Sequence, residues 1–115
     1  MRPRAARATR LDRTLIALAD PTRRRLLDRV SRGPTRASDL GRGLPMSRPA
    51  VSKHLRILRQ AGLITAVPQG REIMYRVPAR VDCLREVRDY VEQVGRTWDR
   101  ALAAFKACAE QEEGA

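Results

Sequence analysis

Apolar and polar residues follow two different periods along this 115-residue chain, and the change of period lays out its elements. Leu11, Leu15, Ile16, Leu18 and Ala19 gather on one face of a first helix. Asp20-Pro21 then restarts the pattern as an N-cap followed by proline at the first helical position. The second helix turns Leu26, Leu27 and Val30 inward, with Arg23, Arg24, Arg25 and Arg29 around the rest, and Gly33-Pro34 stops it. Thr35 is expected to cap a short third helix through Ala37 and Leu40, ending at Gly43-Leu44-Pro45. Ser47 caps a fourth, in which Pro49 is acceptable because N–H groups of the first turn have no intrahelical partner. Val51, Leu55 and Leu58 give that helix its apolar spine, Gly62 closes it, and Leu63 returns to the interior.

The period then drops from 3.6 to 2. Residues 64–67 and 73–77 read as two strands, joined through Pro68-Gln69-Gly70-Arg71, where proline sets a turn and glycine permits positive φ. From about Val81 to Glu110 there is no proline, and a heptad seam runs through Leu84, Val87, Val91, Val94, Trp98, Ala101, Phe105 and Cys108. Tyr90 and Leu102 widen it. Thirty residues of helix span about 45 Å, whereas the chain before them folds into a ball roughly 30 Å across. The seam therefore overhangs its own domain, and a second copy of the chain is its simplest cover; the competing reading is a break at Gly95 with both pieces folded back. The organisation expected is a basic arm over 1–10, a folded body of helices and a ribbon over 11–80, a dimerisation helix over 81–110 and a tail over 111–115.

Charge gives the ball and the long helix different work. The net charge is +11, but residues 1–80 carry +14 and residues 81–115 carry −3. A cationic body points to a polyanionic partner, and 22 of the 24 cations are Arg, whose planar fork suits phosphates and guanine edges. Aromatics are few, only Phe105, Trp98, Tyr75 and Tyr90, so the core must be built of Leu, Val, Ile and Ala. Two cysteines, Cys83 and Cys108, are too few for a disulfide scaffold and fit a reducing cytoplasm. They stand about 37 Å apart if the helix is continuous, and two buried structural thiols are expected. No apolar run approaches the roughly 18–20 residues of a membrane span, so neither export nor membrane insertion is expected.

Between Pro45 and Leu63 the chain reads PMSRPAVSKHLRILRQAGL. A short capped helix, a tight turn, and a helix with an apolar spine and a cationic, hydroxyl-bearing face make a helix-turn-helix pattern. The glycine-tipped ribbon after it, carrying Arg71, is the natural wing. These segments resemble the ArsR-type winged-helix repressors. The resemblance rests on Leu18-Ala19-Asp20-Pro21-Thr22-Arg23, on Ser38-Asp39-Leu40, on the run from Ser47 to Leu63, and on Gly70-Arg71 with Tyr75-Arg76-Val77. It implies a mostly α fold with a small β-hairpin, a winged helix-turn-helix with a long C-terminal dimerisation helix. It also implies a homodimeric bacterial transcriptional repressor, joined through its first and last helices. Metal-sensing relatives place a cysteine pair in the third helix, but Arg36-Ala37-Ser38-Asp39-Leu40 has none, and the only histidine is His54. Sensing at the family's usual metal sites is therefore not expected, nor is any cofactor.

The expected DNA contacts are Arg48 and Ser52 on base edges and Lys53 and Arg56 on phosphates. Ser47 offers its hydroxyl and a helix N-terminus to phosphate. Arg71 enters the minor groove or grips phosphate, and Arg36 completes the set. His54 stands between two readings, a phosphate contact and a backbone-bonded structural residue. Dimerisation falls to Leu11 and Leu15 with Leu84, Val87, Val91, Val94, Trp98, Ala101 and Phe105. The partner is double-stranded DNA bearing a roughly palindromic operator, and the effector is left open. No cysteine–histidine pairing, phosphate-cradling loop or carboxylate pair supports catalysis, so an enzyme is not expected. Two alternatives remain, an architectural DNA binder with little sequence preference and a protein-interaction module using the seam.

Overall fold

The computed structural model describes residues 8–113, in the order α1 (Arg10–Ala19), α2 (Pro21–Ser31), β1 (Thr35–Arg36), α3 (Ala37–Leu40), α4 (Arg48–Gln60), β2 (Thr65–Gln69), β3 (Glu72–Arg76) and α5 (Asp82–Glu113). The first seven residues of the expected basic arm lie outside the described ones, and its last residue, Arg10, already belongs to α1. Thr9 starts that helix. Its hydroxyl accepts from the Asp12 N–H at 3.1 Å, and the Asp12 carboxylate accepts from the Thr9 N–H at 2.9 Å, a reciprocal capping box.

The apolar residues of α1 do not all face the core. The fully buried positions are Thr14 and Ala17, whereas Leu11, Leu15 and Leu18 are half-buried and Ile16 is 59 % exposed. Small residues let α1 approach its neighbours closely, and the Thr14 hydroxyl donates to the Arg10 carbonyl at 2.8 Å, so its burial leaves no polar atom unpaired. Leu18 still packs against the core, but Ile16 is left toward a surface that this chain does not cover.

Asp20 links α1 to α2 as expected, its carboxylate accepting from the Arg23 N–H at 3.0 Å. That bond holds the Asp20 carboxyl below its ordinary pKa, and the Arg23 charge adds to it. The stabilisation is thus present above the unfolded pKa near about 4 and is lost as pH falls through the lower folded value. Asp20→Ala should cost about 1 kcal/mol at neutral pH, the usual worth of an N-cap. That deficit should shrink as pH falls below about 4, where Asp20 of the unfolded chain takes up its proton, and vanish once the folded carboxylate is protonated too. Urea titrations of both proteins across this range measure it.

Thr35 is not the cap of α3. It pairs with Tyr75, and Arg36 pairs with Met74, which adds a strand to the hairpin and gives a three-stranded antiparallel sheet of order β1-β3-β2. The N-cap of α3 is Arg36, without a side-chain capping bond. The hairpin is also tighter than its sequence suggests. Pro68 lies inside β2 opposite Ile73, and the turn is only Gly70-Arg71. Proline is tolerated there because β2 is an edge strand. Gly70 has φ +64° and Arg71 a negative φ, the sign pattern of a type II′ turn.

One core joins these elements, made of Ala17, Leu26, Val30, Leu40, Leu44, Val51, Leu55, Leu58, Ala61, Leu63, Ile64 and Cys83, with no aromatic ring among them. The end of α4 feeds it directly. Gly62, at φ +82°, donates to the Arg59 carbonyl and Leu63 to the Leu58 carbonyl, both at 3.0 Å, a Schellman closure that drops Leu63 into the interior.

The helix α5 runs unbroken through Gly95 for 32 residues, about 48 Å. Its start packs on α1, where Arg10 is ion-paired with Glu86, and the rest projects outward. The chain accordingly measures 75 × 41 × 29 Å with a radius of gyration of 20.4 Å, against about 13 Å for a compact chain of this length. Cys83 is buried against the body, but Cys108 is exposed on the projecting part, contrary to the expectation of two buried thiols.

Candidate nucleic-acid interface

The N-terminal half of α4 builds the site. Ser47 caps it by accepting from the Ala50 N–H at 3.3 Å, leaving its own hydroxyl proton free to donate outward. With Val51, Leu55 and Leu58 buried at 6 %, 2 % and 0 % exposure, the helix has one possible rotation. That rotation leaves Arg48, Ser52, Lys53 and Arg56 exposed. No acidic residue occurs between Ser47 and Gln60, and none of these three cations forms an ion pair among the described residues. Beside this face stands the sheet: Arg48 and Ser52 share a groove with Ile73 and Tyr75 of β3, and Arg71 sits exposed at the hairpin tip.

Two of the expected contacts sit differently. Arg36 is exposed beside the hairpin, opposite Met74, but its Nε is 2.9 Å from the Glu72 carboxylate, so its charge is already answered within the sheet. His54 is half-buried and turned toward α2, with its Nδ1 3.3 Å from Nη1 of Arg23. Arginine has donors only, so Nδ1 is the acceptor, and its partner is a side chain rather than the backbone group that the structural reading expected.

The sequence did not reveal what the arginines of α2 do. Arg23 donates through Nε to the Ala17 carbonyl and through Nη2 to the Ile16 carbonyl, both at 2.9 Å, and approaches the Asp20 carboxylate at 3.8 Å. Arg24 donates to the Leu18 carbonyl at 2.7 Å, and Arg29 to the carbonyls of Leu40 and Arg42 at 2.6 and 2.9 Å. These guanidiniums satisfy carbonyls at the ends of α1 and α3 and in the turn after α3 that have no intrahelical partner. Part of the cationic charge is therefore structural. Arg23→Ala should lower stability by about 2–3 kcal/mol, because it strands a half-buried set of acceptors. Arg23→Lys should recover less than half of this, since a single ammonium cannot span three partners. Equilibrium urea unfolding reads both.

A small sheet flanking two helices in a turn, with the second helix presenting a cationic face, is a winged helix-turn-helix. The sequence model of bacterial regulatory proteins of the arsR family matches residues 20–66. The HTH-type transcriptional regulator Rv2034 of Mycobacterium tuberculosis is 39 % identical over 102 residues, which is 88 % of this chain and 90 % of that protein. The structure of the ArsR-like transcriptional regulator from Rhodococcus sp. RHA1 superposes with a TM-score of 0.69 at 40 % identity, over 87 % of this chain and 92 % of that one. The homodimeric winged helix-turn-helix DNA-binding domain of Mb0332 from Mycobacterium bovis superposes with a TM-score of 0.59 at 26 % identity, over 76 % and 79 % of the two chains. This chain belongs to the ArsR family of bacterial transcriptional regulators. It is a regulator and not an enzyme.

No helix among the described residues is long and apolar enough to cross a membrane. Among the same residues, no group of three or more His, Cys, Asp and Glu side chains is placed to hold a metal ion.

Proposed function

We propose that two copies of this chain, joined through α1 and α5, bind a roughly palindromic operator in double-stranded DNA and repress their own or neighbouring promoters in the cytoplasm. The observation that carries this reading is the exposed, acid-free face of α4 with the hairpin standing beside it. In this reading α4 enters the major groove, with Arg48 and Ser52 on base edges and Lys53 and Arg56 on phosphates. Ser47 and the N-terminus of α4 meet a phosphate, and Arg71 reaches the minor groove or the backbone beside it. Arg36 takes part only by giving up Glu72, and His54 contributes through Arg23 rather than through DNA.

Dimerisation is supported by two apolar faces that the protomer leaves open. On α1 these are Leu11, Leu15 and Ile16. On α5 they are Val91, Trp98 and Phe105 at 60 %, 63 % and 75 % exposure, continuing the seam of Leu84, Val87, Val94 and Ala101. A monomeric protein rarely leaves so much contiguous apolar surface uncovered. The homodimeric state of the Mb0332 domain agrees with this reading. Selection of genomic fragments by the purified protein tests it. The selected sites should carry an inverted repeat with half-sites about 10 base pairs apart, or a multiple of that spacing. Fragments sharing only base composition would reject operator recognition.

A further inference from the structure

The face that meets DNA in the proposed reading contains a feature that phosphate recognition does not explain. A groove of about 670 Å³ runs between α3, the start of α4 and β3. Its walls include Met46, Val51, Leu55, Ile73 and Tyr75, and Ile73 stands 44 % exposed into it. A hydrated phosphodiester gains nothing from desolvating such walls. The polar positions are Ser38 and Ser52, and the two charged side chains are Arg42 and Arg48; no carboxylate lines the groove. Arg48 has no acidic partner among the described residues, and Arg42 shares one exposed contact with Asp39 at 2.9 Å. A groove of ligand size, lined by apolar side chains together with two cations and two hydroxyls, has the make-up of a small-molecule site.

We propose that this groove is an effector site for an amphipathic organic anion, a carboxylate on a hydrocarbon or aromatic body. The body lies against Ile73, Tyr75 and Met46, and the carboxylate is held by Arg42 and Arg48 with Ser38 or Ser52 donating. Arg48 and Ser52 are also the residues assigned to base edges, so ligand and operator exclude one another and the ligand relieves repression. The exclusion rests on the DNA-binding reading; the binding itself does not.

Decanoate, below its micelle concentration, is the probe, with decanol and decyltrimethylammonium as its neutral and cationic counterparts. Chemical shifts of side-chain methyls in the full chain report where each binds. Saturable shifts at Ile73 and Met46 are expected for decanoate, with affinity about tenfold above that of either counterpart, the worth of one charge-assisted contact. Arg42→Gln should weaken decanoate about tenfold, and Ile73→Asp should abolish saturable binding. Both residues are exposed, so either variant serves if the other fails to fold. Equal binding of all three amphiphiles, shifts confined to the α5 methyls of Val91 and Leu102, or undiminished binding to both variants would overturn the site. Anisotropy of labelled operator then tests the exclusion: its apparent Kd should rise in step with decanoate. Binding at Ile73 without displacement would overturn the regulatory role. A protein that takes decanoate here yet recognises no operator would keep the site and lose the DNA reading.

Discussion

A chain carrying Trp98→Glu should sediment as a folded monomer and lose operator affinity by about a hundredfold or more. Trp98 is 63 % exposed in the single chain, so replacing it leaves the core of the protomer untouched. Along α5 the same position continues the apolar seam between Val94 and Ala101, which the proposed dimer covers. A carboxylate there faces either a desolvated apolar contact or separation into subunits, and separation is the cheaper outcome. Two linked recognition helices bind their second half-site intramolecularly, and loss of that linkage costs a factor of about 10²–10⁴. Sedimentation velocity and anisotropy on the same sample check both parts. A dimeric Trp98→Glu protein would remove α5 from the interface; a monomeric one with wild-type operator affinity would remove the need for two copies.

Arg48→Ala should have the second large effect, and on discrimination rather than on binding as such. Arg48 opens α4, is exposed, and stands beside the groove where the hairpin approaches. A bidentate contact from its guanidinium to a guanine edge is worth about 1–3 kcal/mol of discrimination. The dimer makes the contact twice, so the ratio of operator to scrambled affinity should fall by about a hundredfold, while binding to random duplex changes by only the few-fold expected of one lost charge per subunit. Lys53→Ala should do the reverse, weakening all sequences alike and flattening the salt dependence. Equal loss on operator and random duplex for Arg48→Ala would move that residue to the phosphate backbone.

The elements that carry this site were legible because their signals are local and redundant. In α4 the Ser47 cap, the Val51–Leu55–Leu58 spine and the Gly62 closure all mark one helix, and each behaves as its residue type requires. The continuous α5 was equally plain, since a heptad over 30 residues is difficult to satisfy by chance. What escaped were short or nonlocal features. A two-residue strand such as β1 has no period to detect, and Thr35 suits a cap and a strand equally. Pro68 looks like a turn until its strand is known to lie at an edge. The inward face of α1 carried no mark in the sequence because the closest packing falls to Thr14 and Ala17, which give little hydrophobic signal.

Charge was the least legible property of the site. Arg23, Arg24 and Arg29 resemble DNA-binding residues in sequence, yet their guanidiniums reach back or forward 6 to 13 positions to carbonyls at other helix ends. Arg36 likewise meets Glu72 only because β1 joins the sheet. Counting cations therefore overstates the charge available to DNA. In the proposed reading the contributing set narrows to exposed cations of α4 and the hairpin tip with no ion pair among the described residues, chiefly Arg48, Lys53, Arg56 and Arg71.

Operator recognition by two chains is decided by fluorescence anisotropy of the wild-type protein on its selected operator and on a scrambled duplex of the same composition, at about 0.15 M salt, where exposed charges beyond roughly 8 Å are screened. The operator should be bound at least about 10³-fold more tightly, with two chains per duplex. Equal affinity for the two duplexes would contradict it.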